Sequence, residues 1–229
     1  MRRFFFGIAL ITLVNTTQAQ TSMASRVSML NRIWVLKKDE LYSPWHAKIV
    51  PTFLDFSKDG STVIVRGYGE QSETEYSYSM AIDTLKIGER MNFKIKSINN
   101  LVLVLIIGQN EYSYFEIQPK SNAPSIVGDI YKSLSSGNKW LLKDNLLEFT
   151  LEETNLTTEK SYKAIEYRNN KKYFGTYFLD FYRGNIFLIL LVDGKYKEEV
   201  FQILNFSPTC VELSEIDYIK SEVMISVVR

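Results

Sequence analysis

Two short words occur twice in this chain, in the same order. Trp34-x-Leu36-Lys37 returns as Trp140-x-Leu142-Lys143, and Phe53-Leu54-Asp55-Phe56 returns as Phe178-Leu179-Asp180-Phe181. Each second word leads to a glycine, Gly60 or Gly184, and then to an aliphatic or β-branched run, Thr62 to Val65 or Ile186 to Leu190. A chain that spells one pattern twice is expected to build one kind of unit twice. Short β-branched and aromatic runs broken by turn residues make each unit β-rich. The boundaries that follow are a targeting segment at residues 1–19, a first β unit at 20–120 and a second at 121–229.

The first segment reads as a secretory signal peptide. Arg2 and Arg3 precede an apolar stretch from Phe4 to Val14, and the small residues Thr17 and Ala19 place the expected cut between Ala19 and Gln20. The stretch falls short of the roughly 20 apolar residues a spanning helix needs. The expectation is therefore an exported chain, periplasmic or extracellular, with no stable membrane span after cleavage. Losing Arg2 and Arg3 takes Lys+Arg from 27 to 25 against 26 acidic residues, a formal charge of −1. Near-neutral charge of mixed sign gives no footprint for nucleic acid. One cysteine, Cys210, cannot form an internal disulfide, and its place in Cys210-Val211-Glu212-Leu213, alternating into an apolar set, suggests a buried structural thiol.

A short amphipathic helix is expected in front of each tryptophan. Val27, Leu30 and Trp34 share one helical face, with Ser25 as a cap; Val127, Ile130, Tyr131 and Leu134 form the second face, with Ser125 as N-cap and Gly137 as terminator. Beyond each tryptophan come strands: 49–56, 61–66, 75–82, 91–97, 101–107 and 111–117, then 146–151, 161–167, 172–181, 186–192, 198–205 and 222–228. The intervening Asp59-Gly60, Asn99-Asn100, Asn169-Asn170, Gly184-Asn185 and Asp193-Gly194 supply hairpin turn chemistry, so neighbouring strands should run antiparallel.

The tails of the units align, with Phe93 to Val104 falling on Phe201 to Glu212. The middles do not: 19 positions separate Trp34 from Phe53, and 38 separate Trp140 from Phe178. That difference predicts an inserted hairpin in the second unit, over 146–151 and 161–167. The polar, proline-bounded Gln118 to Pro124 reads as the boundary between units.

In order, a helix, Trp-x-Leu, Phe-Leu-Asp-Phe-Ser-Lys-Asp-Gly, a tyrosine-rich strand, Asp83-Thr-Leu-Lys-Ile-Gly88 and Phe93-Lys-Ile-x-x-Ile-Asn-Asn-Leu-Val-Leu resemble the lipocalin-like domains of secreted bacterial proteins of the Bacteroidetes type. The resemblance covers Met29 to Lys120, and Tyr131 to Val228 more thinly. It departs from lipocalins at Arg32 and Asn138, where those proteins place a glycine two residues before the tryptophan. It implies an all-β fold of two tandem small antiparallel barrels or half-barrels, each preceded by a short helix, without enzymatic activity and with the ligand unspecified.

No nucleophile elbow, phosphate loop or zinc-protease motif is present in the sequence. Asp55 and Asp180 could pair as acid and base, but one lies in each unit. Strand alternation turns each away from its neighbouring leucine, so they are expected at solvent or a turn. Trp34 and Trp140 are expected to plug barrel ends instead of touching a ligand. Trp45 and the single histidine, His46, sit in a turn-like Ser43-Pro44-Trp45-His46 segment. Tyr76 with Tyr78, and Tyr112 with Tyr114, share strand faces and are expected to stabilise sheets; Tyr68 belongs to the same group. Asn155-Leu156-Thr157 matches a glycosylation triplet that matters only in a eukaryotic host. The expectation is a non-enzymatic module with no catalytic set, metal or cofactor. Its partner would be a small apolar or amphipathic ligand in a barrel mouth or in the groove between the units or, as the alternative, a protein of the cell envelope.

Overall fold

A computed structural model describes residues 23–37, 50–68, 70, 72–154, 160–192, 199–216 and 221–227. Helix α1 (Met23–Leu30) feeds β1 (Ile33–Leu36), followed by β2 (Phe53–Asp55), β3 (Thr62–Arg66), β4 (Thr74–Ala81), β5 (Thr84–Ile87), β6 (Met91–Ile98), β7 (Val102–Ile107) and β8 (Asn110–Ile117). Each strand runs antiparallel to the next, and β8 closes on β1 from Ile33↔Ile117 to Leu36↔Tyr114. The order then repeats. Helix α2 (Ile126–Leu134) feeds β9 (Lys139–Leu142), β10 (Asn145–Thr154), β11 (Ser161–Arg168), β12 (Lys171–Tyr182), β13 (Asn185–Val192), β14 (Glu199–Ser207), β15 (Cys210–Glu215) and β16 (Ser221–Val227). β16 closes on β9 through Ile225↔Leu141 and Val227↔Lys139. The chain is therefore two closed eight-stranded barrels in tandem, each preceded by a short helix, as the sequence led one to expect. Closure leaves neither barrel with a sheet edge.

Matched strand by strand, the barrels show which sequence marks are equivalent. Trp34 and Trp140 both sit on the first strand, fully buried, and each indole Nε1–H donates to the last helical leucine carbonyl, Leu30 or Leu134, at 3.0 Å. The indole thus ties the helix across the barrel end and satisfies a carbonyl that the helix C-terminus leaves without an intrahelical donor. The tails match to the residue. β6 pairs β7 with a bulge between Ile95 and Ser97, and β14 pairs β15 with a bulge between Ile203 and Asn205. A bulge adds local twist and bend, which a small barrel needs in order to close. A further equivalence links Phe56–Tyr78, at 4.9 Å between ring centroids, with Phe149–Tyr177 at 4.7 Å.

The Phe-Leu-Asp-Phe words are not equivalent. Phe53 lies on β2, the second strand of its barrel, whereas Phe178 lies on β12, the fourth of its own. With eight strands in each barrel there is no inserted hairpin; the longer spacing counts two more strands to reach the second word. The counterpart of Phe178 to Asp180 is Ser79 to Ala81 on β4.

Other local expectations shift by a residue or a role. Ser25 lies inside α1, and Ser125 holds the N-cap position of α2 without a side-chain capping bond. Asn169 and Asn170 take φ of 51° and 59°, as their hairpin turn requires. The next turn centres on Arg183 and Gly184, at 48° and 74°, one residue before the expected pair, and Asn185 opens β13. The turn at Asp193-Gly194 lies outside the described residues.

Inward side chains form a buried core in each barrel. Trp34, Leu54, Phe56, Leu103 and Tyr114 in the first, and Trp140, Tyr177, Leu188, Val211 and Met224 in the second, have no exposed surface. The polar ends of buried tyrosines reach backbone: Tyr114 donates to the Pro51 carbonyl at 2.8 Å and Tyr177 to that of Thr150 at 3.1 Å. Tyr131 of α2 accepts from the Leu179 amide at 2.6 Å, fixing the helix to the inner side of β12. Replacing Trp140 with Phe removes the indole donor, leaving the Leu134 carbonyl buried without it, and also removes the volume of one ring from a fully buried site. Denaturant unfolding should show a loss of about 1–3 kcal/mol, and an unchanged midpoint would remove the hydrogen bond from the explanation.

Candidate functional site

The repeated words meet where the barrels meet. On β2, Leu54 points into the first barrel while Phe53 and Asp55 point outward; on β12, Leu179 points into the second barrel while Phe178 and Asp180 point outward. Those outward faces form one apolar seam with Ile33, Val35, Ile117, Tyr182, Phe187 and Ile189. Phe53 packs against Tyr182 at 4.6 Å and Phe187 at 5.4 Å between centroids, so rings of one barrel interleave with rings of the other. The word recurs because both strands serve the seam, each needing an apolar inward residue flanked by an outward aromatic and an outward carboxylate.

Asp55 and Asp180 are buried there, against the expectation that they face solvent or a turn. Each is paired with an arginine of the other barrel. Arg66 Nη2 meets Asp180 Oδ1 at 2.5 Å with both side chains buried, and its Nε donates to the Glu70 carbonyl at 2.6 Å. Its guanidinium lies 5.1 Å from the Tyr182 ring centroid and 5.7 Å from that of Phe53. Asp55 Oδ2 accepts from Arg183 Nε at 2.9 Å and from the Tyr182 hydroxyl at 3.3 Å, while Oδ1 accepts from the Ser57 amide at 3.0 Å and from the Ser57 hydroxyl. Arg183 also reaches Glu73 at 3.2 Å. Burial, and next the negative charge of Asp55, push the Tyr182 hydroxyl up, so it stays a neutral donor. Carboxylates held this way are cross-links between domains, and neither is arranged as an acid or base facing a cleft.

A second contact pins the barrels. The linker passes the Arg183–Gly184 turn, where the Lys120 amide donates to the Arg183 carbonyl at 2.9 Å, Asn122 Nδ2 to that of Gly184 at 2.9 Å, and Asn185 Nδ2 to that of Gln118 at 2.9 Å. A Cβ on Gly184 would fall 1.8 Å from the Lys120 carbonyl oxygen, so the backbones can approach only because glycine stands there.

The outer wall of the second barrel carries the other concentration of unexplained side chains. Leu141 on β9 and Val223, Ile225 and Val227 on β16 point outward and are 39–50% exposed. Beside them Lys139 Nζ lies 3.9 Å from the Tyr167 ring centroid, and the Tyr167 hydroxyl donates to Glu148 at 2.7 Å. Cys210, cross-strand from Ile225, is half-buried on this outer side; the inward residues of its strand are Val211 and Leu213, which corrects the placement of the thiol within the core.

The remaining candidates separate cleanly. Trp34 and Trp140 are interior plugs. Tyr76, Tyr78, Tyr112 and Tyr114 face the interior of the first barrel and form no outer ladder, whereas Tyr68 joins the seam, 5.0 Å from Phe53 between centroids. Trp45, His46 and Asn155 lie outside the described residues, as does the segment at 1–19. Among the described residues no three histidine, cysteine or carboxylate side chains gather at metal-binding range, and no helix is long and apolar enough to cross a membrane. The sequence reading missed Arg66 and Arg183. Their signal was faint but present: Arg66 shares the outward face of Ile64, and an arginine at the first turn position takes a φ that favours glycine or asparagine. No family model, curated protein or solved structure matches the chain.

Two substitutions test the seam. Arg66→Met leaves Asp180 buried without its counter-charge and should cost about 3–5 kcal/mol, while Arg66→Met with Asp180→Leu should recover much of that loss; equal losses in the two would show that the pair is not coupled. Gly184→Ala should cost at least about 2 kcal/mol by chemical denaturation, from the close backbone approach and the positive φ together. A neutral result would mean the linker does not lie against this turn in solution.

Proposed function

We propose that the mature chain is an exported, non-enzymatic interaction module that works through the outer walls of its barrels, with a protein of the cell envelope as partner class. The observation that carries this reading is the packed core in the middle of each barrel. Binding of a small apolar or amphipathic ligand asks for a continuous cavity of roughly 300 Å³ or more. Trp34, Leu54, Phe56, Leu103 and Tyr114 in the first barrel, and Trp140, Tyr177, Leu188, Val211 and Met224 in the second, have no exposed surface, which gives a ligand held in the middle of a barrel less support; Tyr76, Tyr78 and Tyr112, on the interior of the first barrel, are half-buried. Export rests on Arg2, Arg3, the apolar stretch to Val14 and the Thr17-x-Ala19 cut. The non-enzymatic part rests on Asp55 and Asp180 being tied to arginines. Closed eight-stranded antiparallel barrels are also the architecture of lipocalins, which agrees with the lipocalin-like resemblance without assigning a ligand.

Native mass spectrometry of the protein purified from its own host separates the readings. The expected spectrum shows the bare mature chain or an assembly with another protein. A small molecule retained at one per chain and released on denaturation would replace this proposal with the ligand reading.

A further inference from the structure

The barrels dock asymmetrically, through different sides. The first barrel uses its β1, β2, β3 and β8 side, and the second uses β12, β13 and β14, the counterparts of β4, β5 and β6. The side of the second barrel that corresponds to the seam side of the first is thus left uncovered. The strand registers give the matches: Val35 corresponds to Leu141, Phe115 to Ile225 and Ile117 to Val227. In the first barrel Val35 and Ile117 are buried under the neighbouring barrel, at 0% and 1% exposure. In the second, Leu141, Ile225 and Val227 keep the apolar character with 39%, 50% and 41% of their surface exposed.

We infer that this β9–β16 wall is a docking surface for a second copy of the chain, joined about a two-fold axis. Its counterpart in the same molecule is a barrel-docking wall, which argues for a barrel as occupant. The partner wall is chosen by polarity. A head-to-tail array would set Leu141 and Ile225 against the β4–β6 side of the next first barrel, whose outward Ser79, Lys86 and Lys94 are exposed and polar. Around a two-fold the apolar residues meet their own copies, the self-complementary arrangement that closes without a filament. Lys139, Glu148 and Glu212 flank the apolar centre with both signs of charge, as the rim of such an interface requires. The inference rests on the reading that the outer walls act. It is tested on the purified chain alone, whereas that reading is tested on protein from the host, so the two can fail separately.

Sedimentation velocity across a concentration series gives the answer. The mature chain should pass from monomer to dimer within the micromolar range, and Leu141→Asp with Ile225→Asp should abolish the dimer. Ile225→Thr with Val227→Thr keeps β-branching and strand propensity, guarding against simple misfolding, and should raise the dissociation constant roughly tenfold or more. Ile82→Asp, at the most exposed large apolar residue among the described residues of the first barrel, should leave the dimer intact. The inference is overturned by a chain that stays monomeric to about 100 µM. A dimer indifferent to the wall variants overturns it too, as does one lost with Ile82→Asp. A monomer that co-sediments with phosphatidylglycerol vesicles also contradicts it and gives the wall to a lipid surface.

Discussion

Two buried carboxylates, each met by an arginine from the opposite barrel, set how this molecule is put together. Removing a charge from water costs several kcal/mol, and only close pairing with further hydrogen bonds offsets it. Asp55 and Asp180 are met in that way, by Arg183, Tyr182 and Ser57 on one side and by Arg66 on the other. Such pairs add little net stability over an apolar replacement but penalise every other docking angle, because a shifted barrel would leave a bare charge in the seam. The apolar rings of Phe53, Tyr182 and Phe187 supply the attraction, and the crossed ion pairs choose its geometry. Glycine at 184 then lets the linker lie against the turn that carries Arg183.

Closing each sheet has a consequence for what the chain can offer a partner. A barrel of eight strands has an interior that side chains can fill, and here tryptophan, tyrosine and leucine make up much of its buried core. No edge remains for strand addition. Among the described residues the outer walls are offered to a partner, and the asymmetric seam uses one side of the first barrel and a different side of the second. The same docking pattern that joins the barrels therefore leaves the apolar β9–β16 wall facing outward, where its counterpart in the first barrel faces a neighbour.

Much of this was written in the sequence, though not always where it first appeared. Trp34 and Trp140 mark equivalent positions because an indole that caps a helix carbonyl and plugs a barrel has few substitutes. The tails align because a bulge must fall at the same place for the barrel to close. The Phe-Leu-Asp-Phe words misled on register because strand alternation repeats every two residues: any outer-wall strand at the seam can satisfy the same pattern, whichever strand it is. Local sequence also says nothing of which carboxylate will be covered by a distant domain. Arg66 and Asp180 are 114 residues apart, and Asp55 and Arg183 are 128 apart. The uncovered wall was illegible for the same reason, since the strand expected over 222–228 does not say which of its alternate residues face outward until β16 pairs with β9.

Native-state hydrogen exchange tests most directly whether the seam joins the barrels into one cooperative body. Amides of Val35 and Phe53 on one side, and of Phe187 and Ile189 on the other, should exchange only through the same global opening that exposes the barrel cores at Leu103 and Leu188. Seam amides that exchange through a cheaper opening, while each barrel core keeps its own separate protection, would show two independent barrels held by a linker and would contradict the role given to the crossed ion pairs.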